Sequence, residues 1–416
     1  MGSFDLSVLF FLQMACILAT CKAMGWLFAR LGQSQVVSEM IAGVALGPSL
    51  LGWLWPAGSA WLFPAESKPI LFAVAQLGLV LYMFLIGCEL DLETLRAKMG
   101  AAASVSLAGI LAPFALGTGL AIYLHELPGF FASSMSTAQA MLFMGAAMSI
   151  TAFPMLARII HEQGLSKTAL GSLALTAGAL DDAAAWCVLA VVLASFQQNI
   201  MIAVVALAGS VAYALLCWFG IAPLMKRWSR SMEQTGQLST SALATVLMLV
   251  VMGAWFTDTI QIYAVFGAFL MGVAMPRGVL TQSLHAQIYP LTTAFLLPVF
   301  FIYSGLNTQI GLLNSPGMWL IAVAVLLCAV LGKGAACYAA ARWHGFGQRE
   351  ALGVGALMNA RGLMELIILN IGLQSGIIQA PLFAIMVLMA VVTTLMATPI
   401  FSWLYPRDQR AAPPLL

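Results

Sequence analysis

Charge is what this chain lacks. Asp, Glu, Lys and Arg make up 8% of its 416 residues while 62% are hydrophobic, too little polar surface for a soluble domain of this size. The chain therefore belongs in a bilayer. Other absences narrow the chemistry. No HExxH or GxSxG occurs and no histidine stands at membrane depth to act as a base, which argues against an intramembrane enzyme. The seven cysteines form no CxxC pair and the four histidines lie in loops or near helix ends, so neither a metal site nor a cofactor is expected.

Apolar stretches long enough to cross the hydrocarbon as helices, about 20 residues each, recur along the whole chain. Thirteen crossings are expected, at about 6–29, 35–51, 68–88, 99–124, 138–161, 168–196, 199–225, 238–257, 260–275, 286–306, 317–341, 349–373 and 380–404. The first has no basic segment before it, and is read as a retained helix rather than a removable signal. With the N-terminus outside, thirteen basic residues fall on the inner side: Arg30, Arg96, Lys98, Arg158, Lys167, Lys226, Arg227, Arg230, Arg277, Arg342, Arg349, Arg407 and Arg410. Lys68 alone falls on the other. Basic loops stay cytoplasmic, so an odd number of crossings, a cytoplasmic C-terminus and an inner (plasma) membrane location are expected.

The remaining basic residues, Lys22, Lys333 and Arg361, lie within expected crossings, as do the acidic residues Glu39, Asp181, Asp182 and Glu365. A charge at the bilayer centre costs about 2.5–3.5 kcal/mol even on the mildest scale, and such residues face a bundle interior or a watery cavity. Lys22 is close enough to Arg30 to snorkel inward, and Glu39 is placed near the inner surface, where water reaches it.

Two segments repeat at an offset of 210 residues: "GAAMSITAFPML" (145–156) over "GALMNARGLMEL" (355–366). Each is the fifth crossing of a six-helix set, and an odd spacing inverts the second set. An all-α fold built as an inverted-topology repeat follows, the usual plan of secondary transporters. The division is 1–228 for the first repeat plus a linking seventh helix, 229–405 for the second, and 406–416 for a short cytoplasmic tail. Both matched segments read as interrupted helices that cross. Pro154 ends one, with Ser149 and Thr151 to serve freed backbone groups. Asn359, Arg361 and Gly362 break the other, and irregular backbone at this depth must be buried in protein or line a cavity. Arg361 is placed to neutralise the negative ends of the half-helices, with Glu365 balancing the arginine.

Asp181 and Asp182 sit side by side in "LTAGALDDAAAW", about 20 Å from the cytoplasmic end of a helix rising 1.5 Å per residue. Lys333 sits about 14 Å from the corresponding end of its own helix, within about a turn of the same depth. Neighbours on a helix diverge by about 100°, so one aspartate can pair with the lysine while the other holds a cation. Burial and a like-charged neighbour favour the acid form of a carboxyl group, and an ammonium favours the carboxylate. An aspartate poised between them takes a proton or a small alkali cation in turn, and competition for one site is already exchange. If the cation also breaks the Lys333 link, the lysine releases a proton as well, and two protons move against one cation.

The stretches "SEMIAGVALGPSLLG" (38–52), "LGLVLYMFLIGCELDL" (77–92), "AMSITAFPMLARI" (147–159), "FGAFLMGVAMP" (266–276), "LPVFFIYSGLNT" (297–308) and "LMNARGLMELIILNIGL" (357–373) resemble the monovalent cation:proton antiporter-2 family. "SITAFPMLARII" and "NARGLMELIILNIG" are closest to its plant cation/proton exchanger branch. The resemblance implies that Asp182 is the main ion- and proton-binding carboxylate, with Asp181 as partner of Lys333 and Thr151 as a further oxygen ligand to a monovalent cation. It implies no resident cofactor; sodium or potassium ions and protons are the cargo. It also implies a homodimer, with crossings 3–6 and 10–13 in a moving bundle and 1, 2, 8 and 9 in a scaffold, working by alternating access. Where the plant branch carries asparagine this chain has Asp181, as in electrogenic sodium/proton antiporters of the same superfamily. The expectation is therefore exchange of sodium, or lithium or potassium, for protons. An electroneutral potassium/proton exchanger or a sodium-coupled symporter of an organic solute are the alternatives. No nucleic-acid partner is expected, and the short tail implies no nucleotide-binding regulatory domain.

Overall fold

A computed structural model describes residues 2–30, 33, 35–89, 92–133, 135–166, 168–196, 200–233, 238–260, 262–306 and 315–405. Among them the regular structure is helical: α1 (Ser3–Ala29), α2 (Gln35–Leu46), α3 (Leu51–Leu54), α4 (Pro56–Leu62), α5 (Lys68–Glu89), α6 (Leu92–Glu126), α7 (Thr137–Ser149), α8 (Phe153–Glu162) and α9 (Ala169–Phe196). The second half continues with α10 (Ile200–Leu215), α11 (Ala222–Glu233), α12 (Thr240–Thr259), α13 (Ala264–Ala274), α14 (Val279–Leu291), α15 (Leu297–Leu306), α16 (Pro316–Trp343), α17 (Gln348–Met358), α18 (Leu363–Gln374) and α19 (Ala380–Leu404). Wider turns at Leu216–Ile221 and Thr292–Leu296 join α10 to α11 and α14 to α15. The second follows Pro290, whose missing N–H and bulky ring unseat the regular ladder and leave a π-type turn as the local solution.

Ten helices among the described residues are long and apolar enough to cross a bilayer. The expected crossing at 260–275 is realised as α13, only 11 residues long, and the stretch at 349–373 is split into the shorter α17 and α18. The tail at 406–416 lies outside the described residues.

The chain forms two compact units. The first comprises Met1–Thr20, Ala60–Asp91 and Leu193–Tyr303. Its core gathers Val80, Phe84, Tyr213, Val246, Met271 and Leu284. Small residues let backbones touch: a Cβ on Gly78 would stand 2.8 Å from the carbonyl carbon of Leu296, and Gly87 lies directly on the backbone of α13. Helix association in lipid depends on such close contact. The hydroxyl of Tyr213 donates to Gly267 O at 3.0 Å, and His285 Nε2 lies 2.8 Å from Glu89 Oε1; the side chains of Arg96 and Lys98 lie outside the described residues.

The second unit comprises Cys21–Ser59, Leu92–Val192 and Ser304–Leu416. It packs α6 on α7 and α16, α16 on α17 and α19, and α2 on α8. Gly334 and Gly355 bring α16 and α17 together so closely that a Cβ on Gly355 would be 2.6 Å from Gly334 O. The grouping differs from the one the family resemblance implied. Crossing 3 (α5) and crossing 10 (α14–α15) belong with α10–α13, and α2 belongs with the interrupted helices. The glycine contacts of α5 explain its placement, and a buried ionic cluster explains that of α2.

That cluster corrects two expectations. Glu39, expected to be wetted, is fully buried, and Arg158, expected in an inner loop, is 5% exposed. Arg158 Nη1 and Nη2 donate to Glu39 Oε2 and Oε1 at 2.7 and 2.9 Å. Its Nε donates to Glu162 Oε1 at 3.0 Å, and Gln35 Nε2 donates to Glu39 Oε1 at 3.0 Å. A forked guanidinium satisfies two carboxylates as a lysine could not. Removing one partner of a buried ion pair costs about 3–5 kcal/mol. Arg158→Met is therefore expected to lower the thermal midpoint of the detergent-purified protein by about 3–6 °C; a midpoint equal to wild type would show that the cluster does not hold α2 to α8.

Candidate functional site

Both interruptions have local causes. Pro154, in the first turn of α8, has no N–H to give the carbonyl of Ile150, and its fixed φ suits a helix start. The chain is extended at Ile150 (φ −66°, ψ 134°), and α7 stops at Ser149. The second interruption spans residues 359–362, with Gly362 fully extended at φ 179°. The two stretches meet, since Ala152 N–H donates to Ala360 O at 3.2 Å. Thr394 of α19 supports the second one, its hydroxyl accepting from Arg361 N at 3.0 Å and lying 2.6 Å from Arg361 O. Asn359 Nδ2 donates to Gly355 O at 2.9 Å, capping the end of α17.

The end of α7 is met by two cations. Arg361, fully buried, donates through Nη2 to Met148 O at 2.7 Å and through Nη1 to Ala147 O at 3.4 Å. Lys333, also fully buried, donates to Ser149 O. Three successive carbonyls that a helix end leaves without intrahelical partners thus face positive charge, the sign the helix dipole favours there. Glu365 Oε2 is 3.6 Å from Arg361 Nη1.

The carboxylates lie on α9 beside this end. Lys333 Nζ is 3.2 Å from Asp181 Oδ2 and donates to Gly109 O at 3.0 Å, so its three N–H bonds are all engaged. Thr151 Oγ1 donates to the same Asp181 Oδ2 at 2.6 Å, which leaves the hydroxyl's lone pairs to face other groups. Asp181 Oδ1 receives no hydrogen bond. Asp182 is 5% exposed and Asp181 1%, and both are held too deep to snorkel. Ser149 Oγ donates to Ala146 O at 2.9 Å, within its own turn.

The structure thus brings Thr151, Asp181, Lys333 and the backbone of Ser149 into one contact set. Arg361, Glu365 and Asn359 stand around the adjoining break. Sequence reasoning missed Gly109, where α6 passes so close that a Cβ would be 2.8 Å from Cys337 Sγ; glycine there lets Lys333 reach its carbonyl. It also missed Thr394, one of the few hydroxyls in an apolar helix. The described residues contain no group of three or more His, Cys, Asp or Glu that could hold a metal ion.

The transmembrane sodium/hydrogen exchanger family matches residues 16–405, nearly the whole chain. The chain belongs to that family. Within it, the chain is 40% identical over 393 residues to the Na(+)/H(+) antiporter NhaS4 of Synechocystis, covering 94% of this chain and 95% of that one. It is 35% identical over 406 residues to Cation/H(+) antiporter 18 of Arabidopsis thaliana, where 96% of this chain spans 49% of the relative. The family member thus has relatives of the monovalent cation:proton antiporter-2 type, plant branch included. The sodium proton antiporter of Methanocaldococcus jannaschii shares the fold, with a TM-score of 0.58 over 95% of this chain and 96% of that one at 13% identity.

Proposed function

We propose that the protein is a secondary antiporter exchanging a monovalent cation, sodium first, for protons. The observation that carries this reading is the division of labour within one buried pair: Asp181 is bound by Lys333 and Thr151, while its neighbour Asp182 is equally deep on the same turn. Asp182 binds the cation or a proton in turn. Thr151 and backbone carbonyls supply further oxygen ligands, as a hard cation prefers. Burial makes the charged form costly unless a cation compensates it, so loading one ligand expels the other.

Lys333 and Asp181 form the second ionisable unit. When the cation draws on the aspartates, the ammonium loses its counter-charge and releases a proton, so two protons move against one cation and the cycle carries charge. Ser149, Pro154, Asn359 and Arg361 maintain the crossed break, and Glu365 balances Arg361. The two repeats (1–228 and 229–405) together build the site. It faces the two membrane sides alternately, in an inner membrane with the N-terminus outside and the C-terminus cytoplasmic, as a homodimer.

The test is purified protein in proteoliposomes with sodium, lithium and potassium offered separately, with and without an imposed potential. Sodium and lithium are expected to dissipate a pH gradient, and the final sodium gradient to follow the potential. Exchange of potassium alone with no response to potential would replace this reading with an electroneutral potassium/proton exchanger. Uptake of an organic solute driven by sodium would replace it with a symporter.

A further inference from the structure

α6 runs unbroken from Leu92 to Glu126 with Pro113 inside it. A proline has no N–H for the carbonyl four residues before it, and its ring crowds that carbonyl. Here the carbonyl is that of Gly109, which accepts instead from Lys333 Nζ at 3.0 Å. The helix thus gives up a bond of its own ladder where the charged pair needs an acceptor. Position 109 overlooks both partners, since a Cβ there would lie 3.8 Å from Asp181 Oδ2 and 3.9 Å from Lys333 Cε. One turn on, buried Pro113 lies against α16 beside the lysine; a Cβ on Gly332 would be 3.3 Å from Pro113 Cα.

Pro290 in α14 and Pro399 in α19 are also interior to their helices, and each is accommodated in another way. After Pro290 the chain widens into the turn at Thr292–Leu296, whereas α6 stays regular through Pro113. Four residues before Pro399, Leu395 O is met by the neutral amide of Gln33, Nε2 standing at 3.4 Å. Filling a freed carbonyl from a neighbouring side chain is how proline is tolerated in a membrane helix. At Gly109 the donor is an ammonium that also holds Asp181, so the carbonyl serves the lysine as much as the lysine serves the carbonyl.

We infer that Pro113 is a positioning residue for Lys333: it keeps Gly109 O out of the α6 ladder, and that carbonyl together with Ser149 O forms a berth that holds the lysine once a cation has drawn Asp181 away. An ammonium has three N–H bonds, and a neutral amine has two. Asp181 and the two carbonyls engage the first, and the two carbonyls alone engage the second, so the berth fits the lysine in either form. Its bond counts for most after Asp181 has gone, because the nitrogen then rests on the carbonyls alone. An N–H at position 113 would claim Gly109 O for the helix and leave Ser149 O as the main support. This role rests on the reading above, in which sodium draws Asp181 away from Lys333.

Equilibrium binding of radioactive sodium to the purified protein tests it, in a double-mutant cycle that does not depend on transport. Pro113→Ala restores the N–H and is expected to weaken sodium binding about fivefold. In a Lys333→Met background, which has no donor for Gly109 O, the same change is expected to leave binding within about twofold. A proline that only shaped α6 would weaken binding equally in both backgrounds. That result, or wild-type affinity in Pro113→Ala, would overturn the inference. Pro113→Ser, which supplies an N–H to the same carbonyl, and Lys333→Leu serve should either of the first variants fail to fold. Asp182→Asn, measured alongside, is expected to bind no sodium. Binding of wild-type strength there would overturn the underlying reading and this role with it, whereas binding that needs Asp182 but shows no coupling between Pro113 and Lys333 would overturn this role alone.

Discussion

Proteoliposomes carrying Asp182→Asn are expected to exchange no sodium, lithium or potassium, their signal matching protein-free vesicles. An amide keeps the shape and one oxygen ligand but loses both the charge that compensates a cation and the ability to take up a proton. Losing one partner of a buried charge pair costs about 3–5 kcal/mol, at least about a hundredfold in binding. Folding is expected to survive, since a neutral amide is less costly to bury than a carboxylate. Purification yield and thermal midpoint should therefore stay near wild type while transport vanishes. Exchange at a tenth of the wild-type rate or better would remove Asp182 from the centre of the reading.

Lys333→Gln is the second large effect, expressed in coupling. The ammonium contributes three donors, to Asp181, Gly109 and Ser149, and in the proposed cycle it also supplies the proton that makes exchange electrogenic. With glutamine, Asp181 keeps the Thr151 hydroxyl but has no cation beside it, and the second proton of the proposed cycle loses its carrier. Exchange should continue more slowly as one proton against one cation. A potential of about 100 mV is worth about 2.3 kcal/mol per net charge, so the final sodium gradient of the wild type should shift by about fiftyfold. In the variant it should not shift. A full response there would show that Lys333 carries no transported proton.

The sequence made the most of those features whose cost in lipid is high. Charges at membrane depth are few, and Asp181, Asp182, Lys333, Arg361 and Glu365 stand out against an apolar background; all five prove fully or nearly buried. Pro154 and the "NARG" stretch betray the interruptions because they break the helical ladder by their own chemistry. What stayed hidden depends on three-dimensional proximity. Arg158 reads as a loop arginine because its position near a helix end fits the rule for basic inner loops, and only the approach of α2 makes it an internal partner for Glu39. Gly109 carries no signal beyond being one of 37 glycines. The packing of α5 against α13 stayed hidden for a similar reason, since Gly78 and Gly87, which let it approach its neighbours, form no periodic pattern.

The hydrogen bond from Ala152 to Ala360 acts as a rivet joining two pairs of blades. Thr151, the residue next to this pin, therefore takes its position from the join of the two breaks rather than from either half-helix alone. Lengthening the strip around the pin by a single inserted residue would then loosen the whole mechanism more than shortening any blade at its far end.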